Sequence, residues 1–186
     1  MERLEINNIL KLDKLNNELE YEKAISIYGR LRWMVKEDNS LAPIKQHLKI
    51  LIKQYEETHW EDETKISAEQ IKESDIAEKI VSSENDFIQK RKELIREKLR
   101  ENGITQKDLA KILGHRPNYM SELINGMRPF SRNDLIVLHR LFGLDLNDLF
   151  PPFLKTEVTN HIKQTINELK NRRTKIKLRL RDLETT

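Results

Sequence analysis

TQKDLAKILGHRPNYMSELING, residues 105–126, reads as helix, sharp turn and second helix. Thr105 is a favoured N-cap residue, Gly114 permits the backbone to turn sharply, and Asn125-Gly126 is a helix stop. Leu109, Ala110 and Leu113 form the inner face of the first helix; Met120, Leu123 and Ile124 form that of the second. Ala110 matters because a small side chain lets the two helix axes approach. The second helix then presents Pro117, Asn118, Ser121 and Glu122 on its outward N-terminal side, where a recognition helix meets base edges.

On the C-terminal side, Ser131–Phe142 is a further helix, with Leu135, Leu138 and Leu141 inward. Together with Ile104, Leu144, Leu146, Leu149 and Phe150 it closes a compact multi-helix core. On the N-terminal side, residues 20–37 place Tyr21, Ala24, Ile25, Tyr28, Leu31 and Val35 on one helical face. Asp38, Asn39 and Ser40 supply turn and cap chemistry and Pro43 suits a first turn. Leu48, Leu51, Ile52 and Tyr55 then mark a second helix to about Trp60, giving a helical hairpin. Trp33 and Trp60 suit ordinary hydrophobic core, with interface anchoring as the alternative. An acidic link from His59 to Lys65 precedes Ser67 and Gln70, a capping-box pair that opens a third helix. Phe87, Leu94, Ile95 and Leu99 continue to a stop at Asn102-Gly103. A new cap at Ser82 or Ser83 and one long helix remain equally readable here.

The last segment sets Val158, Ile162, Ile166, Leu169, Ile176, Leu180 and Leu183 at heptad-like spacing, interrupted by Arg173. Such a helix packs on its own domain or pairs with a second copy, the alternative being a free tail.

Charge is graded along the chain. Residues 1–83 carry 13 Lys/Arg against 17 Asp/Glu, residues 84–150 carry 12 against 10, and residues 151–186 carry 9 against 4. A basic tail suits phosphate contact and an acidic front suits another partner. Gly and Pro are scarce, five each, so helix formers dominate and the expected fold is all-α. The chain contains no cysteine, which excludes disulfides, thiolate metal sites and cysteine nucleophiles. Together with an N-terminus charged throughout, this is the expectation for a cytoplasmic protein that does not enter membranes. Histidines at 47, 59, 115, 139 and 161 show no paired ligand spacing. No Ser/His/Asp arrangement and no Gly-rich phosphate loop is identifiable, so no catalytic residue, metal site or cofactor is expected.

Residues 105–131, TQKDLAKILGHRPNYMSELINGMRPFS, resemble the helix-turn-helix of the phage-repressor or XRE class, and FGLDLNDLF resembles its closing turn. The resemblance runs from near Glu84 to Phe150 and implies a lambda-repressor-like domain that binds operator DNA as a dimer. It implies phosphate contacts from Gln106 and Asn125 at the helix ends, with Arg116 and Arg128 as further phosphate ligands. Base-reading positions fall on Pro117, Asn118 and Glu122, and Thr105, Tyr119 and Ser121 complete the expected DNA-binding set. Two of these depart from the pattern. Pro117 has no side-chain donor and Glu122 only accepts, so Asn118 pairing with adenine is the strongest base contact.

The order of parts also resembles HigA-type antitoxins, carried by Tyr21, Ala24, Ile27, Leu31, Ser40, Leu48, Leu51, Ile52, Tyr55, Glu56 and His59. That resemblance implies that residues 1–82 bind a RelE-like mRNA-cleaving toxin. Residues 83–153 would then be the DNA-binding domain and residues 154–186 a basic helix for packing or dimerisation. The competing expectation is a stand-alone repressor with an N-terminal sensing or oligomerisation region.

Overall fold

The computed structural model describes residues 4–62, 64, 66–154 and 156–170. These residues form eight α-helices and no strand. They gather around two apolar cores, and one long helix lies along the first helix at one end and enters the second core at the other.

The first core begins before any α-helix. Ile6, Ile9, Leu12 and Leu15 are buried along an irregular segment containing a 3-10 turn at Ile9–Lys11. Asn17 then caps α1 (Glu18–Met34) by accepting a hydrogen bond from the Glu20 amide. Asp38 caps a 3-10 turn at Asn39–Leu41 through the Ser40 amide, and that turn runs into α2 (Ala42–His59) with Pro43 in its first turn. The expected hairpin is therefore present, and of Asp38, Asn39 and Ser40 it is Asp38 that supplies the cap. Ala24, Leu31, Met34, Leu48, Leu51 and Tyr55 meet between the two helices. Each fully buried Leu here contributes about 1.5–3 kcal/mol of hydrophobic stabilisation.

α3 (Ala68–Glu101) is a single helix of 34 residues, so it spans about 51 Å. No break occurs at Ser82 or Ser83: both lie inside the continuous helix, which Ser67 caps through the Gln70 amide. The capping box is only half formed, since the Gln70 side chain donates to the His59 carbonyl at 2.8 Å instead. The N-terminal half of α3 packs on α1 through Ala77 and Val81. Lys23–Glu84 at 3.1 Å and Ser26 donating to Asn85 at 2.7 Å tie the same pair of helices. The C-terminal half delivers Ile95 and Leu99 to the second core.

The second core is built by α4 (Gln106–Ile112), α5 (Pro117–Ile124), α6 (Arg132–Phe142) and α7 (Leu146–Leu149). Leu109, Ala110, Met120, Leu123, Ile124, Leu135, Leu138, Leu144 and Leu149 are buried in it, and Leu113 and Ile104 pack at its edge. Phe130 and Phe142 complete it. This is the all-α, lambda-repressor-like arrangement, preceded by the helical hairpin. α8 (Thr156–Lys170) follows, with Ile166 buried and Val158 exposed. The expected heptad positions Ile176, Leu180 and Leu183, like Arg173, lie outside the described residues.

Five apolar residues expected inside are outside, among them Ile25 of α1, 38% exposed. Trp33 is 69% exposed, with the Lys36 ammonium 4.3 Å above its ring. It sits two residues beyond Leu31, and so roughly 200° around the helix from that buried position. Leu141, Leu146 and Phe150 are each about 40% exposed. Their neighbours Leu138, Phe142, Leu144 and Leu149 take the inward positions, and the second core is filled without them. Trp60 is partly buried against the first core.

Candidate nucleic-acid interface

The helix-turn-helix is held by local chemistry at each joint. Thr105 and Asp108 form a reciprocal capping box: the Asp108 amide donates to Thr105 Oγ1 at 3.2 Å and the Thr105 amide to Asp108 Oδ2 at 3.0 Å. The Thr105 hydroxyl in turn donates to Asp108 Oδ2 at 2.6 Å, and this bond holds the Asp108 carboxyl below the usual aspartate range. The turn is made at Gly114, whose φ of +70° lies in the left-handed region. His115 then binds back: its amide donates to the Ala110 carbonyl, and its Nε2 lies 3.0 Å from the buried Asp134 carboxylate. Asp134 is also the capping-box residue of α6 with Ser131, so the turn is anchored to the helix beneath it.

α5 starts at Pro117, whose missing N–H costs nothing at the first helical position. Thr105, Arg116, Pro117, Asn118 and Tyr119 are exposed; Gln106, Ser121, Glu122, Asn125 and Arg128 are half-buried. Several of these side chains are engaged within the molecule. Asn118 Nδ2 donates to Asp38 Oδ2 at 2.8 Å, across from the hairpin turn. Arg128 donates from Nε to the Glu122 carboxylate and from Nη2 to Asn7 Oδ1, and its guanidinium lies 5.2 Å from the Tyr119 ring centre. Asn125 folds back so that Nδ2 donates to the Ser121 carbonyl at 2.8 Å.

Gly126 does more than end α5. At φ +69° a side chain is strained, and an added Cβ would lie 2.6 Å from Ile88 Cγ2 and 3.0 Å from Arg30 Nη1. That closeness lets Arg30 of α1 donate to the Asn125 and Gly126 carbonyls at 3.5 and 3.3 Å, meeting the negative end of α5 with a cation. Met127, the next residue, is buried in the first core. Asn7, Arg30 and Asp38 were therefore missed as neighbours of the reading face. They lie 121, 95 and 80 residues from Arg128, Asn125 and Asn118, and no local periodicity reports such contacts. Gln106 borders a shallow groove with Arg96 and Arg100 of α3, two further cations beside an expected phosphate contact.

Elsewhere the histidines serve local structure. His47 lies 2.8 Å from the Leu12 carbonyl, His59 is stacked on Tyr55, and His139 lies 2.6 Å from the Leu144 carbonyl. No His/Asp/Glu grouping suited to a metal occurs among the described residues, and none of their helices is long and apolar enough to cross a membrane.

Residues 95–149 match the family model described as helix-turn-helix. The match starts in the C-terminal half of α3 and ends at the last residue of α7, so it coincides with the second core. No curated protein and no solved structure matches the chain. The domain is thus an XRE-type helix-turn-helix, the hallmark of DNA-binding transcription regulators.

Proposed function

We propose that the chain is an autorepressing antitoxin: α5 reads the operator of its own operon while the N-terminal unit neutralises a RelE-like mRNA-cleaving toxin. The observation that supports a second macromolecular partner is Trp33. It stands 69% exposed on a helical unit that has its own core and an excess of acidic residues. Exposed Trp is the residue type most enriched among interface anchors, and an acidic surface attracts a basic RNA-cleaving enzyme. Asn118, Glu122 and Pro117 face the bases in this reading, and Gln106, Arg116, Asn125 and Arg128 face phosphates. Thr105, Tyr119 and Ser121 flank them. A homodimer places two copies of α5 on successive half-sites. Val137 and Leu141, exposed one turn apart on α6, are the apolar surface assigned to that contact.

The test is co-expression with the product of the adjacent open reading frame. Rescue of growth and copurification are expected, and Trp33→Ala should abolish copurification while leaving the melting temperature and operator binding unchanged. An adjacent product that is harmless alone and does not copurify sinks the toxin assignment and leaves the DNA assignment standing.

A second reading, a stand-alone repressor with a sensing N-terminal region, is favoured by one feature: a cavity of about 440 Å³ between the N-terminal unit and the helix-turn-helix domain.

A further inference from the structure

The cavity lies where α1, the middle of α3, the segment after α5 and the segment after α7 converge. At about 440 Å³ it falls within the range of small-molecule sites. Its body is apolar, formed in part by Ile27, Val81, Phe87, Phe130 and Phe153. Its charge is one-sided: Lys23, Arg30, Arg91, Arg128 and Arg132 border it against Glu5 and Glu84. Glu84 is already paired with Lys23 at 3.1 Å and Arg128 with Glu122.

Arg91 is the telling residue. It is 6% exposed and makes no ion pair among the described residues. Among those residues its hydrogen bond runs from Nη1 to the Leu149 carbonyl at 3.3 Å, and its guanidinium lies 5.1 and 5.0 Å from the Phe87 and Phe130 ring centres. A guanidinium carries five N–H donors and a full charge, and one carbonyl with two ring faces answers only part of that demand. Burial accordingly pushes its pKa down to about 10. Arg30 of α1 repeats the pattern: among the described residues it donates to two carbonyls and the Ser26 hydroxyl, and its buried Nε finds no acceptor. Two incompletely satisfied guanidinium groups beside an aromatic wall form the complement of a molecule with one anionic end and an apolar body.

We propose that this cavity binds a small amphipathic carboxylic acid, its carboxylate drawn to Arg91 and Arg30 and its hydrocarbon body packed on Phe87, Phe130 and Phe153. The inference concerns the free chain and is independent of whether the protein's other partner is a toxin. Charge-assisted hydrogen bonds to a carboxylate are the strong class, and hydrocarbon burial supplies affinity without adding specificity. Arg30 also holds the C-terminal carbonyls of α5, so the site adjoins the DNA-reading helix.

Calorimetric titration of the full chain with decanoate and with decan-1-ol, both below micellar concentration, tests the site. The expected result is saturable one-to-one binding of decanoate, with decan-1-ol about tenfold weaker or worse. In Arg91→Gln, decanoate affinity should fall about tenfold towards that of the alcohol. Arg30→Gln provides a second variant if Arg91→Gln does not fold, and the acid-to-alcohol comparison needs no variant at all. Equal affinity for acid and alcohol, non-stoichiometric uptake or no heat of binding overturns the proposal. Loss of operator binding in the unliganded chain bears on the functional reading alone and leaves this site untouched.

Discussion

Asn118 combines two roles that compete. As the best-placed base reader it needs its amide edge free for adenine, yet in the folded chain its Nδ2 donates to Asp38 at 2.8 Å. Asn118→Ala should weaken operator binding by about 1–3 kcal/mol in an electrophoretic or anisotropy titration at fixed salt. Arg128→Ala should lower affinity for all sequences alike. Operator affinity that survives both changes removes these contact assignments. Asp38→Asn gives the opposite sign. Its side-chain oxygen still accepts from the Ser40 amide, preserving the cap, while its amino group faces the Asn118 donor and the negative charge near the phosphates is gone. Operator binding should tighten by about 1 kcal/mol; unchanged or weaker binding refutes competition at this residue. The caps, glycines and apolar positions of 105–126 were legible because each acts within one turn of itself. The partners of Asn118 and Arg128 were not, because side chains with free ends pair with whatever tertiary packing brings near.

The α1–α2 hairpin illustrates how an element is specified beyond its apolar stripe. Tyr21 and Tyr55 stack with ring centres 4.9 Å apart, and each phenol donates to a carboxylate at 3.0 Å, Tyr21 to Glu56 and Tyr55 to the buried Glu18. Burial first, then these carboxylates, holds both phenols protonated well above the ordinary tyrosine value of 10.0. The folded state binds these protons more tightly than the unfolded chain. Their contribution is therefore complete below pH about 10 and is lost as pH rises above it. Alkaline melts should show the hairpin weakening there, and Tyr55→Phe should remove one late-titrating phenol from the near-ultraviolet absorbance curve. The same variant leaves Glu18 without its phenol partner, at a cost of about 1–3 kcal/mol. A Tyr55→Phe curve that loses an ordinary phenol in place of a late-titrating one contradicts this account. Periodicity located α1 and α2, but it counted the exposed Ile25 as inward, and it gave no sign of the irregular segment whose Ile6, Ile9, Leu12 and Leu15 close the first core. Side chains presented by 3-10 and turn backbone follow no single period, so their burial cannot be read from spacing.

Across the whole molecule, α3 packs along α1 and enters the second core, and Met127 crosses from the second unit into the first core. Unfolding should be a single event. Both tryptophans, at 33 and 60, belong to the first unit, whereas far-ultraviolet dichroism senses all the helices. Coincident thermal curves from the two probes are expected. Leu31→Ala, at a fully buried position, should shift both curves down together, at a cost of about 2–5 kcal/mol. Separated midpoints refute the coupling. The broad division into an acidic hairpin, a helix-turn-helix and a final helix was legible from composition and capping. The uninterrupted α3 was not, because Ser82 and Ser83 offer cap chemistry that only tertiary packing overrules. The joint at Gly126 and Met127 carries a lesson for protein engineering: the DNA-reading domain is not a cassette. Transplanting residues 95–149 into another regulator would bring along a bare Met127 thioether and a glycine with no Ile88 to meet, and would leave a hole in the donor's hairpin. A working chimaera has to carry α1 and all of α3 with it, so the unit of exchange is nearly the whole described chain.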